Sequence, residues 1–181
     1  MTTSSPSALS LLEQSRLQKG EILTQSRLYS WWGGRVTAQI YLPQLRSLVW
    51  EALTDYDRWV DIFPHITQSE VIESLSPFRK RLYQAAEKNF SLMTIAVDAE
   101  LMVREYPQRR IWFVLETANP CFREFEAEVW LREVSSVAGT FLSYTVQAAA
   151  SLPIPAPFIQ EAMRQDLPQN LSHLRSYLQD R

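Results

Sequence analysis

Phe122-Arg123-Glu124-Phe125-Glu126-Ala127-Glu128-Val129-Trp130-Leu131-Arg132-Glu133-Val134 is the stretch that decides the fold. Phe125, Ala127, Val129 and Leu131 recur at every second residue, with Glu124, Glu126 and Glu128 between them. Successive side chains of a strand point to opposite faces, so this period predicts one buried and one wet face, and it makes the three glutamates a solvated stripe. The same alternation runs through Leu92 to Arg104, where Met93, Ile95, Val97, Ala99 and Leu101 share a face, and through Thr140 to Ala149, where Leu142, Tyr144, Val146 and Ala148 do. Ile66 to Ser74, Arg79 to Lys88 and Ile111 to Thr117 complete six strands, joined by connections such as Ser76-Pro77 and Tyr106-Pro107. Short turns between consecutive strands imply an antiparallel meander.

Upstream, the chain from Glu21 to Leu42 reads as a first strand interrupted at Trp31-Trp32-Gly33-Gly34 by a glycine bulge or turn. Pro43 suits the start of a helix bearing Leu45, Leu48, Val49, Ala52 and Leu53, and Asp55 to Phe63 predicts a second short helical turn closed by Pro64. Before these, Met1 to Pro6 is polar and expected to be disordered, while Ser10 and Glu13 have capping-box spacing for a short helix ending near Gly20. The expected organisation is a flexible extension over 1–19, carrying that helix, and one folded domain over 20–181. Downstream, Pro153 to Pro157 forms a stiff spacer, followed by a helical stripe of Ile159, Met163, Leu167, Leu171, Leu174 and Leu178. Pro168 predicts a kink or restart, with Asp166 as a cap. The fold class is α+β: a seven-stranded antiparallel sheet wrapped around a long C-terminal helix, with two short helices after the first strand. A twisted sheet gripping one helix leaves a gap where its inward residues are small, as Ala99, Ala127 and Ala148 are.

Composition narrows the function. A chain of 181 residues, 46% of them apolar, with a formal net charge of −2 and one cysteine, Cys121, needs no disulfide framework and offers no Cys-rich zinc site. The balanced charge, without a dense Lys/Arg block, argues against a nucleic-acid partner. No apolar run reaches the length of a membrane span and Met1 to Ser10 does not read as a secretory signal, so a cytoplasmic protein is expected. Four glycines leave no room for a phosphate loop or a nucleophile elbow. No metal and no cofactor are expected: His65 and His173 are not spaced to converge.

The order of elements resembles the START-like, or helix-grip, superfamily. Val49 to Trp59, followed by Phe63-Pro64-His65-Ile66 and Ser69-Glu70-Val71, is similar to the opening signature of its polyketide cyclase/dehydrase and coenzyme Q-binding branch. Phe125-Glu126-Ala127 and Asp166 to Leu171 resemble that branch's sixth strand and final helix, although the branch commonly has Gly where Ala127 stands and Asn where His65 stands. The resemblance implies an apolar cavity between the sheet and the last helix that receives a lipid, an isoprenoid quinone or another hydrophobic molecule. Its floor would be Met93, Ile95, Val97, Phe113, Phe125, Ala127, Val129, Tyr144 and Val146, and its roof Ile159, Met163 and Leu167. Tyr144 would supply one orienting hydrogen bond.

Tyr56, Trp59 and Phe63 permit two readings, either capping one end of the sheet or bordering the cavity mouth as a gate that touches a membrane interface; Trp31 and Trp32 permit the same two. Arg79-Lys80-Arg81 and Arg109-Arg110 are either solvated turns or contacts for anionic headgroups. The leading expectation is a noncatalytic carrier of a hydrophobic small molecule, in transient contact with a membrane surface and with no catalytic residue. The alternatives are a cyclase or dehydratase using His65, oriented by nearby Asp61, or Tyr144 as proton shuttle, and an interaction module with a filled core.

Overall fold

The computed structural model describes residues 9–30, 33–90, 93–133, 138–151 and 156–180, with the backbone alone at 28–30, 88–90, 93–95 and 156. The expectations for Met1 to Pro6, for Trp31 and Trp32, for the spacer at Pro153 to Pro155, and for the side chains of Met93 and Ile95 lie outside the described residues.

The described chain runs α1 (Leu11–Gln18), β1 (Leu23–Ser30), β2 (Gly33–Leu42), α2 (Arg46–Thr54), a 3₁₀ turn (Tyr56–Arg58), α3 (Trp59–Ile62) and β3 (Ile66–Ser76). It continues with β4 (Arg79–Phe90), β5 (Met93–Tyr106), β6 (Arg110–Leu115), β7 (Phe122–Glu133), β8 (Thr140–Ala150) and α4 (Ala156–Gln179). The sheet order is β1-β2-β8-β7-β6-β5-β4-β3, every pairing antiparallel. The six-strand meander is present as read, and β8 returns to pair with β2.

The sheet has eight strands rather than seven. What reads as one interrupted strand is a hairpin, with Leu23 opposite Gln39 and Ser30 opposite Gly33. The glycines do face an irregularity, a register shift between Leu28, opposite Gly34, and Ser30, opposite Gly33, and Gly34 has a second role. A Cβ there would lie 3.0 Å from Gln160 Cβ and 3.2 Å from Met163 Cε, so glycine lets α4 rest directly on β2. The edge strand β3 carries three register irregularities, between Ile66 and Gln68, Val71 and Glu73, and Ser74 and Ser76, which break the regular row of unpaired groups an edge would otherwise present.

Packing on the inner face follows the alternation. Val36, Ala38, Ile40 and Leu42 of β2 are fully buried, and α4 lies across β1, β2 and β8 with Met163, Leu167, Leu171, Leu174 and Leu178 buried against them. α4 also corrects a prediction: it is continuous through Pro168 with no restart, and Asp166 is not a cap. Pro168 removes the donor to the Arg164 carbonyl, but the buried stripe continues in phase on both sides, at Leu167 and Leu171, and holds the axis together. α2 begins at Arg46, beyond Pro43 and with Leu45 as its N-cap, and Leu45 and Leu48 are exposed, leaving Val49, Ala52 and Leu53 as its buried face.

The N-terminal helix has the predicted capping box. Glu13 N–H donates to Ser10 Oγ at 3.3 Å, and the Ser10 hydroxyl and N–H donate to Glu13 Oε2 at 2.7 and 2.8 Å, two bonds to the ionised form that hold the Glu13 carboxyl below its usual range. Gly20, at φ 93°, ends the segment in the left-handed region, and its carbonyl accepts from Arg175 Nη1 at 3.0 Å. Leu17 is fully buried against the rest of the fold. Leu9, just before the helix, borders a water-sized hollow of about 10 Å³ on the outer face with Gln39, Trp130, Phe141 and Ser143.

Candidate functional site

Two side-chain groups occupy the inner face away from α4's tight contact with β2. The first lies under the 3₁₀ turn and α3. Tyr56, Trp59, Phe63 and Phe113 are all buried, with ring centroids 4.9 Å apart for Trp59–Phe63, 5.4 Å for Trp59–Phe113 and 5.6 Å for Tyr56–Trp59. Trp59 Nε1 donates to the Leu53 carbonyl at 3.1 Å, and the Tyr56 hydroxyl donates to Glu105 Oε1 at 2.8 Å. Burial, followed by the Glu105 charge and that hydrogen bond, pushes the Tyr56 phenol far above its usual range. Of the two readings these aromatics permit, they adopt the cap: buried rings do not border a mouth or reach a membrane.

Glu105 and Lys80 belong to this group and were missed by the sequence reading. Glu105 is buried, Lys80 pairs with it, and the ammonium sits 5.3 Å from the Tyr56 ring centroid. Lys80 therefore points inward, unlike its neighbours Arg79 and Arg81, and the reading of all three as a single basic turn is corrected here. Alternation carried the signal: Leu101, Val103 and Glu105 share the inner face of β5, so a carboxylate at the third position requires a partner.

The second group is looser. Across the sheet, Leu101 faces Leu115, Phe125 faces Ala148 and Ala148 faces Gly34, where Gln160 and Met163 of α4 come down on β2. Ala38, Ala99, Ala127 and Ala148 make a floor of small buried residues, and Val129, Val146, Met163 and Leu167 are also buried. Val97, Leu115, Phe122, Phe125, Tyr144 and Ile159, all apolar or aromatic, are only partly buried. Small floor residues beside large apolar ones that pack against the core yet stay partly exposed make this the candidate place for an apolar cleft between the sheet and α4.

Tyr144 is its polar feature. The side chain rises from β8 between Ala38 of β2 and Val129 of β7. Burial pushes the phenol up to about 12, and the hydroxyl makes no hydrogen bond among the described residues. A phenol that no described residue engages leaves its O–H free to donate to a bound acceptor.

The other candidates resolve differently. Asp61 pairs with Arg58 and does not orient His65; instead His65 Nε2 lies 3.8 Å from Asp166 Oδ1, linking the start of β3 to the middle of α4. The outer-face glutamates are not a uniformly solvated stripe. Glu128 is buried in an ion pair with Arg110, and Glu126 accepts from Trp112 Nε1 at 2.8 Å. Among the described residues no three His, Cys, Asp or Glu side chains gather as a metal site, and no helix is long and apolar enough to cross a membrane.

An open antiparallel sheet wrapped on one long C-terminal helix, with two short helices between β2 and β3, is the START-like, helix-grip fold. Solved structures with this fold match the chain closely in shape. A STAR-related lipid transfer protein from Xanthomonas axonopodis superposes with a TM-score of 0.68 at 14% identity, covering 87% of this chain and 93% of its own. A START superfamily protein from Mycobacterium smegmatis gives 0.65 at 14% identity, covering 81% and 97%. The Zhui aromatase/cyclase from Streptomyces sp. R1128 gives 0.60 at 13% identity, covering 87% and 92%. No family model and no curated protein matches the sequence. At these identities the likeness establishes the fold, and function rests on the site.

Proposed function

We propose that the protein binds a hydrophobic small molecule, of the lipid or isoprenoid-quinone type, in the inner-face cleft, without transforming it, and that it works in the cytoplasm beside a membrane. The observation that carries this reading is the Tyr144 hydroxyl, which makes no hydrogen bond among the described residues and stands on a face of small and partly exposed apolar side chains. Affinity would come from desolvation, at roughly 25 cal/mol per Å² of apolar surface, and orientation from the phenol. The phenol, raised by burial, is protonated at neutral pH and can donate one hydrogen bond to an oxygen on the ligand. Lipid-transfer neighbours of the same fold support the carrier reading, and the aromatase/cyclase neighbour supports the same cleft in catalytic use. The His65–Asp166 pair is the other group such a cyclase would call on.

Native mass spectrometry of the protein purified from its own host, followed by solvent extraction, tests the reading. A hydrophobic molecule recovered in stoichiometric amount supports it. A protein that carries nothing and takes up no hydrophobic probe fits the filled-core interaction module instead.

A further inference from the structure

Strand pairing brings the β3–β4 turn (77–78) and the β5–β6 turn (107–109) to one end of the sheet. Glu105 N–H donates to the Phe78 carbonyl at 2.8 Å, and Arg79 stands directly opposite Arg104. Phe78 is 53% exposed and Tyr106 43%, with Leu75 and Ile72 of β3 exposed beside them. Large apolar side chains at adjoining turn tips have no folding role that burial would reveal.

The charge at this end is unbalanced, although the whole chain is near neutral. Arg81 is taken by Glu73, Glu100 and Glu116, Lys80 by Glu105 and Arg110 by Glu128. Arg79, Arg104 and Arg109 are exposed and make no ion pair among the described residues. Arg104 lies 5.1 Å from the Trp112 ring centroid and Arg109 lies 6.0 Å from that of Trp130, which holds both guanidiniums over the outer face. Two arginines in cross-strand register repel, so the sheet tolerates a cost that an anionic surface would remove.

We propose that this end of the sheet, Phe78 and Tyr106 flanked by Arg79, Arg104 and Arg109, docks on an anionic lipid surface. Aromatic tips suit the interfacial layer and arginines the headgroups. A nucleic acid fits less well: Trp112 and Trp130 are already stacked by guanidiniums, and the chain's net charge is −2. Val97, Leu115 and Phe125 lie toward the opposite ends of their strands, so docking leaves that part of the cleft clear. The inference rests on the reading that the protein works beside a membrane, and it does not require an occupied cleft.

Co-sedimentation of the full chain with vesicles of equal parts phosphatidylserine and phosphatidylcholine, and with phosphatidylcholine alone, tests it. The wild type is expected to pellet with the anionic vesicles, progressively less as salt is raised, and to remain in solution with the neutral ones. Combined Arg79→Gln, Arg104→Gln and Arg109→Gln should lower partitioning about 100-fold, and Phe78→Ser about 10-fold, with the thermal melt unchanged. Failure of the wild type to pellet, equal pelleting with both vesicles, undiminished binding by the triple variant, or preferential binding to single-stranded RNA overturns the proposal. Uptake of a fluorescent hydrophobic probe, measured on the same samples, separates the two readings: retained uptake without vesicle binding ends the docking inference alone.

Discussion

Tyr56 and Tyr144 both project from the walls of one interior, and their surroundings differ in kind. Tyr56 is closed in by Trp59 and Phe113, and its hydroxyl donates to Glu105, which Lys80 also holds. Tyr144 stands among alanines and valines, partly buried, with a hydroxyl that makes no hydrogen bond among the described residues. The first region has satisfied its polar groups and filled its volume, which is what a load on stability looks like. The second keeps a phenol that no described residue engages and large apolar side chains that stay partly exposed, which on the proposed reading suits one apolar molecule with one oxygen. A cluster of aromatics is thus the poorer guide to a binding site here, and a single unsatisfied donor over small residues the better one.

The sharpest way to break this contrast is by truncation in each region. Trp59→Ala should cost about 3–5 kcal/mol in urea unfolding, the range for a fully buried aromatic, and leave little folded protein to test. Phe125→Ala, at a half-buried position, should cost about 1–2 kcal/mol while reducing uptake of a hydrophobic probe markedly. Equal stability losses at the two sites would erase the distinction. Lys80→Met should destabilise by about 2 kcal/mol, because it strands the buried Glu105 carboxylate; the partial exposure of Lys80 keeps this below the cost of breaking a fully buried pair.

Alkaline titration compares the two tyrosines directly. Both phenols are raised by folding, so the folded state keeps its protons where the unfolded chain, with phenols near pH 10, releases them. Stability is full below pH 10 and falls as pH rises above it. For Tyr144 the loss develops between pH 10 and its folded value of about 12. Tyr144→Phe should recover about 2–3 kcal/mol at pH 12 relative to wild type, read by urea unfolding across that range. At neutral pH the same substitution should change stability by less than about 0.5 kcal/mol, since no hydrogen bond is lost, and weaken ligand binding about 2- to 10-fold. A large loss of stability at neutral pH would mean that the hydroxyl has a structural partner after all.

Much of the architecture was legible because strand and helix periods are local. Phe125, Ala127, Val129 and Leu131 reveal their face without any knowledge of their neighbours, and the stripe from Ile159 to Leu178 does the same for α4. The errors came where a residue's reason lies across the fold. Gly34 reads only as a bulge or turn, and its second role under Gln160 is invisible locally, while Pro168 reads as a kink or restart although the helix continues with its buried leucines in phase. The acidic partner of His65 is Asp166, a hundred residues away, where proximity in sequence suggested Asp61. In the candidate site, alternation set the inward residues of the floor but not their packing. Phe113 and Phe125 look equivalent in the sequence, yet one is sealed by Tyr56 and Trp59 while the other borders the cleft. Only the path of the 3₁₀ turn and α3 separates them.

Methyl-resolved NMR during titration with a fluorescent hydrophobic probe, or with the ligand once it has been extracted, tests the central claim most directly. The account predicts shifts for the methyl groups of Val97, Leu115, Ala148 and Ile159, which border the cleft, while those of Leu53 and Ile62 beside the aromatic cluster stay in place. Shifts centred on Leu53 and Ile62, or none anywhere at saturating probe, would contradict it.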